Sequence, residues 1–372
     1  MKRNLACIAF GFGVASAGPA LSQDNNLVFT NPSGWTTTFY GQINMTYQGV
    51  DDGVENHNQF VNNTNSPSRI GLWIDGPAEG DTRLRFNFET ALGIRATAET
   101  NQIANPPYLD WQRTDIRKLE VTYKGNYGTF WAGQGSMAAD GIAEYDKSGT
   151  SVAGYSAVAD TAGAYLFRLR DTLVVRVPVG AVFRNFDAGR RMRVRYDTPS
   201  FAGFTFSAAY GQDVLATAVD ADYTDVAARY AFENDQMEFA AGLAYSWFQP
   251  QNGLDEEHLF GSASLLHKPT GLNLTIAGGQ NTLAEADYFY AKAGWLGKIF
   301  PIGPSALSFD LYSGTDFLLL GTDSDAWGVQ AVQHFESLHL EAYLSYREYS
   351  YSGVLAEYRN IDSVLFGARW KF

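Results

Sequence analysis

Polar and apolar residues alternate along most of this chain with a period of two. In TRLRFNFETAL (82–92), Leu84, Phe86 and Phe88 fall on one side, and Arg83, Arg85, Asn87 and Glu89 on the other. In KLEVTYK (118–124), Leu119, Val121 and Tyr123 oppose Lys118, Glu120, Thr122 and Lys124. In RRMRVRYD (190–197), Met192, Val194 and Tyr196 oppose Arg191, Arg193 and Arg195. In SVLFGARWKF (363–372), Val364, Phe366, Ala368, Trp370 and Phe372 alternate with a mostly polar set. Alternation of this kind marks strands with one oily and one wet face. It predicts sixteen strands, at 36–49, 68–76, 82–92, 115–124, 128–135, 189–198, 203–213, 222–233, 236–248, 257–268, 271–281, 286–298, 305–316, 323–335, 338–350 and 360–372. Most are about as long as a tilted strand that crosses a bilayer.

The connections carry a second beat. Short ones (GPAEGD, KGNYGT, TPSFAG, END, KPTG, FES) alternate with mostly longer ones at 51–67, 93–114, 136–188, 214–221 and 351–359. Short turns on one side and long loops on the other, with an even strand count, are what an up-and-down barrel in an outer membrane requires. Soluble antiparallel sheets also alternate, but a soluble barrel of this length fills its inside with apolar groups. Here the polar face is ionised at Arg83, Arg85, Glu89, Arg191, Arg193 and Arg195. It is therefore either an outer solvent surface or the lining of a water-filled lumen, and the connection pattern favours the lumen.

The first residues change the picture further. Lys2 and Arg3 precede an apolar run from Leu5 to Val14 and then small residues, which is the pattern of a secretory signal peptide. The expected division is 1–22 as signal, with cleavage after Ala17 or Ser22, and 23–372 as the barrel. The run is too short for a spanning helix. Cys7 is the only cysteine, so the exported chain would hold no disulfide and no thiolate metal site. With 40 acidic against 27 basic residues, nucleic acid is excluded as a partner.

The segment RVRYDTPSFAGFTFSAAYG (193–211) resembles the hallmark of the general porins of Gram-negative bacteria. In those proteins a strand ends in Tyr-x-Ser/Thr-Pro, turns through Phe-x-Gly-Phe and returns as an alternating strand. TTFYGQINMTY resembles their first strand, YGTFWAGQGSM the strand before their constriction loop, and LEAYLSYREY with FGARWKF their last two strands. The resemblance implies an all-β, 16-stranded antiparallel transmembrane β-barrel in the bacterial outer membrane, with a water-filled channel. It implies a homotrimer in contact with outer-membrane lipid and lipopolysaccharide, with Phe366, Trp370 and Phe372 read by the outer-membrane assembly machinery. It also implies that the long connection, about 136–188, folds into the lumen. Asp140, Glu144 and Asp146 would then face a basic wall of Arg69, Arg83, Arg85, Arg191 and Arg193 across the narrowest water.

Other readings stay open. The stretch 171–183 reads as an apolar strand that either packs inside the barrel or extends the sixth strand, with Pro178 against a central position. Asp220, Asp222 and Asp225 supply oxygen ligands of the kind Ca²⁺ takes, as do Asp323 and Asp325, but without EF-hand spacing. No cofactor is otherwise expected. The five histidines form no H-E-x-x-H pair and no G-x-S-x-G occurs, so no enzyme is expected. A passive porin, a channel selective for sugars or anions on the same barrel, and an outer-membrane enzyme without a pore are the three functions compatible with the chain.

Overall fold

The computed structural model describes residues 27–77, 79–80, 82–171, 173–216, 220–354 and 356–372. The expected signal segment lies outside the described residues.

The strands are β1 (Leu27–Thr30), β2 (Thr36–Asp51), β3 (Asn56–Asn62), β4 (Arg69–Asp75), β5 (Arg83–Ala91), β6 (Ile116–Gly125), β7 (Gly128–Ser136), β8 (Leu166–Arg168), β9 (Val174–Pro178) and β10 (Arg190–Asp197). They continue with β11 (Phe204–Gln212), β12 (Ala221–Glu233), β13 (Met237–Pro250), β14 (Glu256–His267), β15 (Leu272–Asn281), β16 (Asp287–Phe300), β17 (Gly303–Thr315), β18 (Asp323–Phe335), β19 (Leu340–Ser352) and β20 (Ile361–Lys371). All but β8 and β9 form one antiparallel sheet of eighteen strands. It closes where β2 pairs with β20, from Gln42 opposite Lys371 to Asp51 opposite Asp362. Closure removes the two long edges of the sheet, and of its strands only β1 and β3, each paired with β2 alone, keep an outer edge.

Eighteen strands fill sixteen positions, giving a closed 16-stranded barrel. β3 and β4 both pair with β2, one with each half of it, and so share a single position. β1 pairs with the start of β2, in line with β20. Two sequence expectations change here. The region 51–67, expected as a loop, contains the seven-residue strand β3, because NHNQFVN is mostly polar on both faces and carries no alternation to read. β1 was not expected at all.

The wall is the reverse of a soluble barrel. Outward residues such as Leu243, Leu272, Leu274, Ile276, Phe289 and Leu311 are exposed, while inward Thr46, Gln48, Ser264, Thr275, Lys292 and Asp310 are buried. An apolar belt of this extent suits hydrocarbon, not water. The tight turns gather at one rim. At 198–203, Pro199 ends the ladder and Gly203, at φ +87°, makes the reversal, where a Cβ would lie 2.7 Å from the Ala231 carbonyl oxygen.

The molecule's main apolar core lies inside the barrel. Ile142, Val158, Tyr165, Phe167, Val182 and Phe183 of the long connection pack on inward Phe260, Tyr288, Tyr312, Tyr349 and Ile361 of the wall. The connection is pinned along its length by inward side chains. Asp225 accepts from the amides of Ala138 and Ala139 at 3.1 and 2.9 Å, Thr150 meets Ser308 at 2.7 Å, and Tyr349 donates to the Val158 carbonyl at 2.5 Å. Within it β8 and β9 make a hairpin. Of the two options for 171–183, the structure takes packing inside: β9 pairs with β8 and not with the sixth wall strand, and Val179, Val182 and Phe183 are buried.

Candidate pore constriction

Where the long connection leaves β7 and rejoins β10, two sets of charges face the interior. The wall set is built around Glu89. Inward parity on β4 and β5 brings Arg69 and Glu89 to 3.6 Å, and the Tyr40 hydroxyl donates to Glu89 at 2.9 Å. Arg117 Nε donates to the same carboxylate at 2.6 Å. The β5–β6 register slips between Glu89 and Thr90, which turns Arg117 inward beside Lys118. Arg190 and Arg369 complete the set, and both act electrostatically on Arg69. Arg369 has its own partner in Glu341, so two carboxylates, Glu89 and Glu341, stand among Arg69, Arg117, Lys118, Arg190, Arg369 and Lys371, leaving this wall basic.

The opposite set lies on the connection. Asp140 follows the first turn after β7, and Glu144 ends a short 3-10 turn over Ile142–Glu144. Asp187 accepts from the amides of Gly141 and Ala143 at 2.8 and 2.9 Å, which locks that turn. Asn185 donates to Glu144 at 3.2 Å, and Tyr155 donates to Asp160 at 2.7 Å. Burial, followed by repulsion from Asp140 and Asp160, pushes Glu144 up to about 8. Burial, then Glu144 and Asp140, holds Asp187 well above the usual carboxylate range. Burial pushes Asp160 up to about 6. Among the described residues no ion pair within 4.0 Å joins these carboxylates to the wall guanidiniums. The largest favourable influence on Arg190 is nevertheless Asp140, followed by Glu89 and Glu144. The two sets thus act on one another electrostatically without forming an ion pair within 4.0 Å among the described residues.

The residues singled out from sequence divide accordingly. Asp140, Glu144 and Arg69 lie in this constellation. Asp146 does not. Its carboxylate is 2.7 Å from Lys292 on β16, and both side chains are buried. Arg85 lies at the short-turn rim, held by Asp75 at 2.6 Å, and Arg83 stands still closer to that rim, opposite Lys124. Arg191 sits over the Tyr223 ring at 4.0 Å, beside Asp213. Arg193 is buried against Glu120 and donates to the Gly133 and Ser136 carbonyls at 3.0 Å each. A period of two fixes which side a residue faces but not its height along the barrel, and height separates these arginines. Arg117, Lys118, Arg190, Arg369, Glu89, Asp160 and Asp187 were missed as members. The first two are visible as an ionised stretch beside LEVTYK, but only the register slip makes Arg117 a member.

The terminal aromatics are placed as their parity implies. Phe366 and Trp370 are exposed on the outer face, the Trp370 and Phe372 rings lie 4.9 Å apart, and Phe372 exchanges two backbone hydrogen bonds with Gly41 at 2.9 and 3.1 Å. The Ca²⁺ candidates do not converge. Asp222 faces outward and accepts from Tyr210 and Gln212 at 2.6 and 2.7 Å, while Asp225, three residues on, faces inward to the loop amides. Among the described residues no group of three or more His, Cys, Asp or Glu could hold a metal ion.

Comparison with known proteins places the chain. A family model described as Gram-negative porin matches residues 6–354. No curated protein sequence matches. Among solved structures, the anion-selective porin from Comamonas acidovorans aligns at TM-score 0.59 and 16% identity, over 91% of this chain and 100% of that one. The outer-membrane channel DcaP of Acinetobacter baumannii aligns at TM-score 0.57 and 11% identity, over 92% and 99%. The trimer form of OmpT, an outer-membrane protein of Vibrio cholerae, aligns at TM-score 0.55 and 13% identity, over 91% and 99%. At these identities the structural likeness speaks for the fold, and the family match agrees with it. The chain belongs to the Gram-negative porin family, as an outer-membrane β-barrel channel for the diffusion of solutes.

Proposed function

We propose that the channel is a passive, water-filled pore without a catalytic centre. Its narrowest section would lie between Asp140, Glu144 and Asp187 on the long connection and Arg69, Arg117, Arg190 and Arg369 on the wall. The observation that carries this is that opposite charges converge on one region of the interior, yet among the described residues no ion pair within 4.0 Å joins them. Charges fixed on two sides of narrow water create a transverse field that orders dipolar solutes and sorts ions by sign and size. Burial and mutual repulsion hold Glu144 and Asp187 toward the neutral form, so the basic wall dominates and small anions are favoured. This departs from the weak cation preference that the acidic composition suggests, because most acidic residues lie away from the gap.

Single-channel recording in a planar bilayer, with reversal potential in a salt gradient, tests the proposal. Ohmic conductance with an anion-positive reversal supports it. Absence of conductance by folded protein refutes it, and block by one solute class favours a selective channel on the same barrel.

We further propose a trimer in outer-membrane lipid and lipopolysaccharide. Its support is the exposed apolar surface on the connection between β5 and β6, where Ile103, Leu109 and Trp111 stand out beside β3. A second copy would cover them. The Phe366, Trp370 and Phe372 face would be what the assembly machinery reads. Native mass measurement in mild detergent that finds only monomers would rule the trimer out.

A further inference from the structure

Most ties between the long connection and the wall join neutral groups. Ser262 and Ser264 accept from the amides of Tyr145 and Lys147 at 3.1 and 2.8 Å, and Thr150 meets Ser308 at 2.7 Å. Charged ties exist too, Lys147 to Glu238 at 2.7 Å, Arg184 to Glu256 at 3.0 Å and Arg168 to Asp52 at 2.8 Å, but each keeps a partly exposed side chain, and one further pair does not. Lys292 on β16 donates to the Asp146 carboxylate at 2.7 Å and to the Gly154 carbonyl at 2.8 Å. The two side chains are 0% and 2% exposed. Asp146 also accepts from the Ser148 amide at 2.7 Å. A charge pair removed from water in this way adds little net stability, since desolvation offsets the attraction, but it is directional and costly to break on one side only.

The wall behind the pair is built to receive it. In one cross-strand row Lys292 stands opposite Asp310, Asp310 opposite Gly328, and Gly328 opposite Arg347. Arg347 reaches over β18 to Asp310 at 2.7 Å, with both side chains at most 2% exposed. Gly328 leaves the path open, since a Cβ there would lie 3.0 Å from Asp310 Oδ1 and 3.1 Å from Arg347 Cζ. Tyr290 and Gln330 donate to Asp310 at 3.1 and 2.9 Å. On the loop side, a Cβ at Gly154 would lie 3.2 Å from both Arg347 Nη2 and Gln330 Nε2, so the backbone sits close against this row. Two cations and two carboxylates balance, which leaves the cluster neutral.

We propose that Lys292 is a positioning residue of the pore. Its bond to Asp146, backed by the Asp310–Arg347 pair, clamps the stretch 146–154 to the wall. The clamp thereby sets how far Asp140 and Glu144 stand from the basic wall. The proposal rests on the reading of 137–189 as the element that narrows the pore. The clamp and the selectivity charges are separate sets. Lys292 and Asp146 cancel each other out of sight of the water, and the field comes from the groups that face the gap.

The test compares wild type, K292M and K292M/D146L, with folding of each barrel checked by heat-modifiable migration on gels. Two readouts are taken. One is open-channel noise and brief closures in a planar bilayer. The other is the rate at which a small charged methanethiosulfonate reagent modifies S148C, the sole cysteine of the exported chain, at a position buried in the wild type. We expect K292M to close frequently and to raise the S148C rate about tenfold or more, because one charge of a buried pair is left uncompensated. The double variant, apolar on both sides, returns both readouts toward wild type. K292M that stays as quiet and as unreactive as wild type overturns the clamp. Should K292M fail to assemble, D146N is measured in its place, with the same expected rise and the same overturning result. A wild type that carries no current refutes the pore reading, while the labelling rates still decide the clamp.

Discussion

Arg117 donates to Glu89 at 2.6 Å, although alternation carried one step back from Lys118 would place it on the outer face. The slip in register between Glu89 and Thr90 turns it inward. Glu89 is thereby shared by Arg69, Arg117 and the Tyr40 hydroxyl. Arg190 keeps no carboxylate within ion-pair distance among the described residues, and in the proposed pore its charge would act on the water between the wall and the long connection.

The selectivity of the pore should follow that placement. Arg117→Gln with Arg190→Gln is expected to move the reversal potential toward cations. Arg83→Gln with Arg85→Gln, at the short-turn rim, should leave it nearly unchanged. A perfectly selective pore gives ~59 mV across a tenfold salt gradient. The first pair should shift the potential by a substantial part of that range. The second should move it little, because a charge farther than about 10 Å from the gap is screened at 0.1 M salt. Equal shifts from both pairs would mean that the narrowest water lies elsewhere.

Glu144 supplies a pH dependence. Burial first, and then Asp140 and Asp160, push its carboxyl up to about 8 from the ordinary 4.5. Its surface is half-buried, so pore water opposes the shift and the transition lies at or below that value. Rising pH then ionises the loop side, and reversal potentials should drift toward cations between about pH 6 and 9. Glu144→Gln should flatten the drift. The sign for loop seating runs the same way. Between 4.5 and 8 the folded chain holds a proton that the unfolded chain has released, so the seated loop loses stability as pH rises through that window. More frequent closures at pH 9 than at pH 6, absent in Glu144→Gln, would report it.

The wall was legible in the sequence because period-two alternation and turn spacing are local. The expected strand at 323–335 coincides with β18, and 203–213 comes within a residue of β11 at each end. β3 was illegible because Asn56, Asn58 and Asn62 carry no oily face, and β1 because four residues are too few to show a period. The charged residues were harder for a different reason. Arg83, Arg85, Arg191 and Arg193 all face inward as their parity implies, but register across strands decides which meet a partner. Glu120 takes Arg193 out of the water and Asp75 takes Arg85. Asp146 is paired with Lys292, which is 146 positions away in sequence and which nothing local to DKSGT could announce.

Calcium should not matter to this chain's stability. Asp222 and Asp225 are an odd number of residues apart on β12 and so point to opposite faces. One is satisfied by Tyr210 and Gln212, the other by the Ala138 and Ala139 amides. Millimolar Ca²⁺ or EDTA should leave the thermal midpoint of the detergent-solubilised protein unchanged. Asp222→Ala should cost little. Asp225→Ala should free the start of the loop, since it removes two charge-assisted hydrogen bonds worth ~1.5–3 kcal/mol each. A Ca²⁺-dependent rise in midpoint that Asp222→Ala abolishes would overturn this.

Closure of the barrel depends on a fit between the last residue and the first long strand. Phe372 exchanges backbone hydrogen bonds with Gly41, and its ring covers that glycine. A Cβ at position 41 would lie 2.5 Å from Phe372 Cζ, so only glycine lets the ring sit there. The ring also rests against Trp370 at 4.9 Å, which joins it to the exposed apolar face of β20. Deleting Phe372, or replacing it with a charged residue, removes both the seam's last hydrogen bonds and that contact, and should sharply lower the amount of heat-modifiable protein in the outer membrane. Gly41→Val leaves the terminus intact but expels the ring, and so separates fit at the seam from recognition of the terminal aromatics. If Gly41→Val assembles normally while Phe372 deletion does not, the aromatic terminus acts as a recognition signal and not through closure. If both fall together, the seam itself limits assembly. Normal levels of folded protein in both variants would show that the Phe372–Gly41 contact contributes to neither.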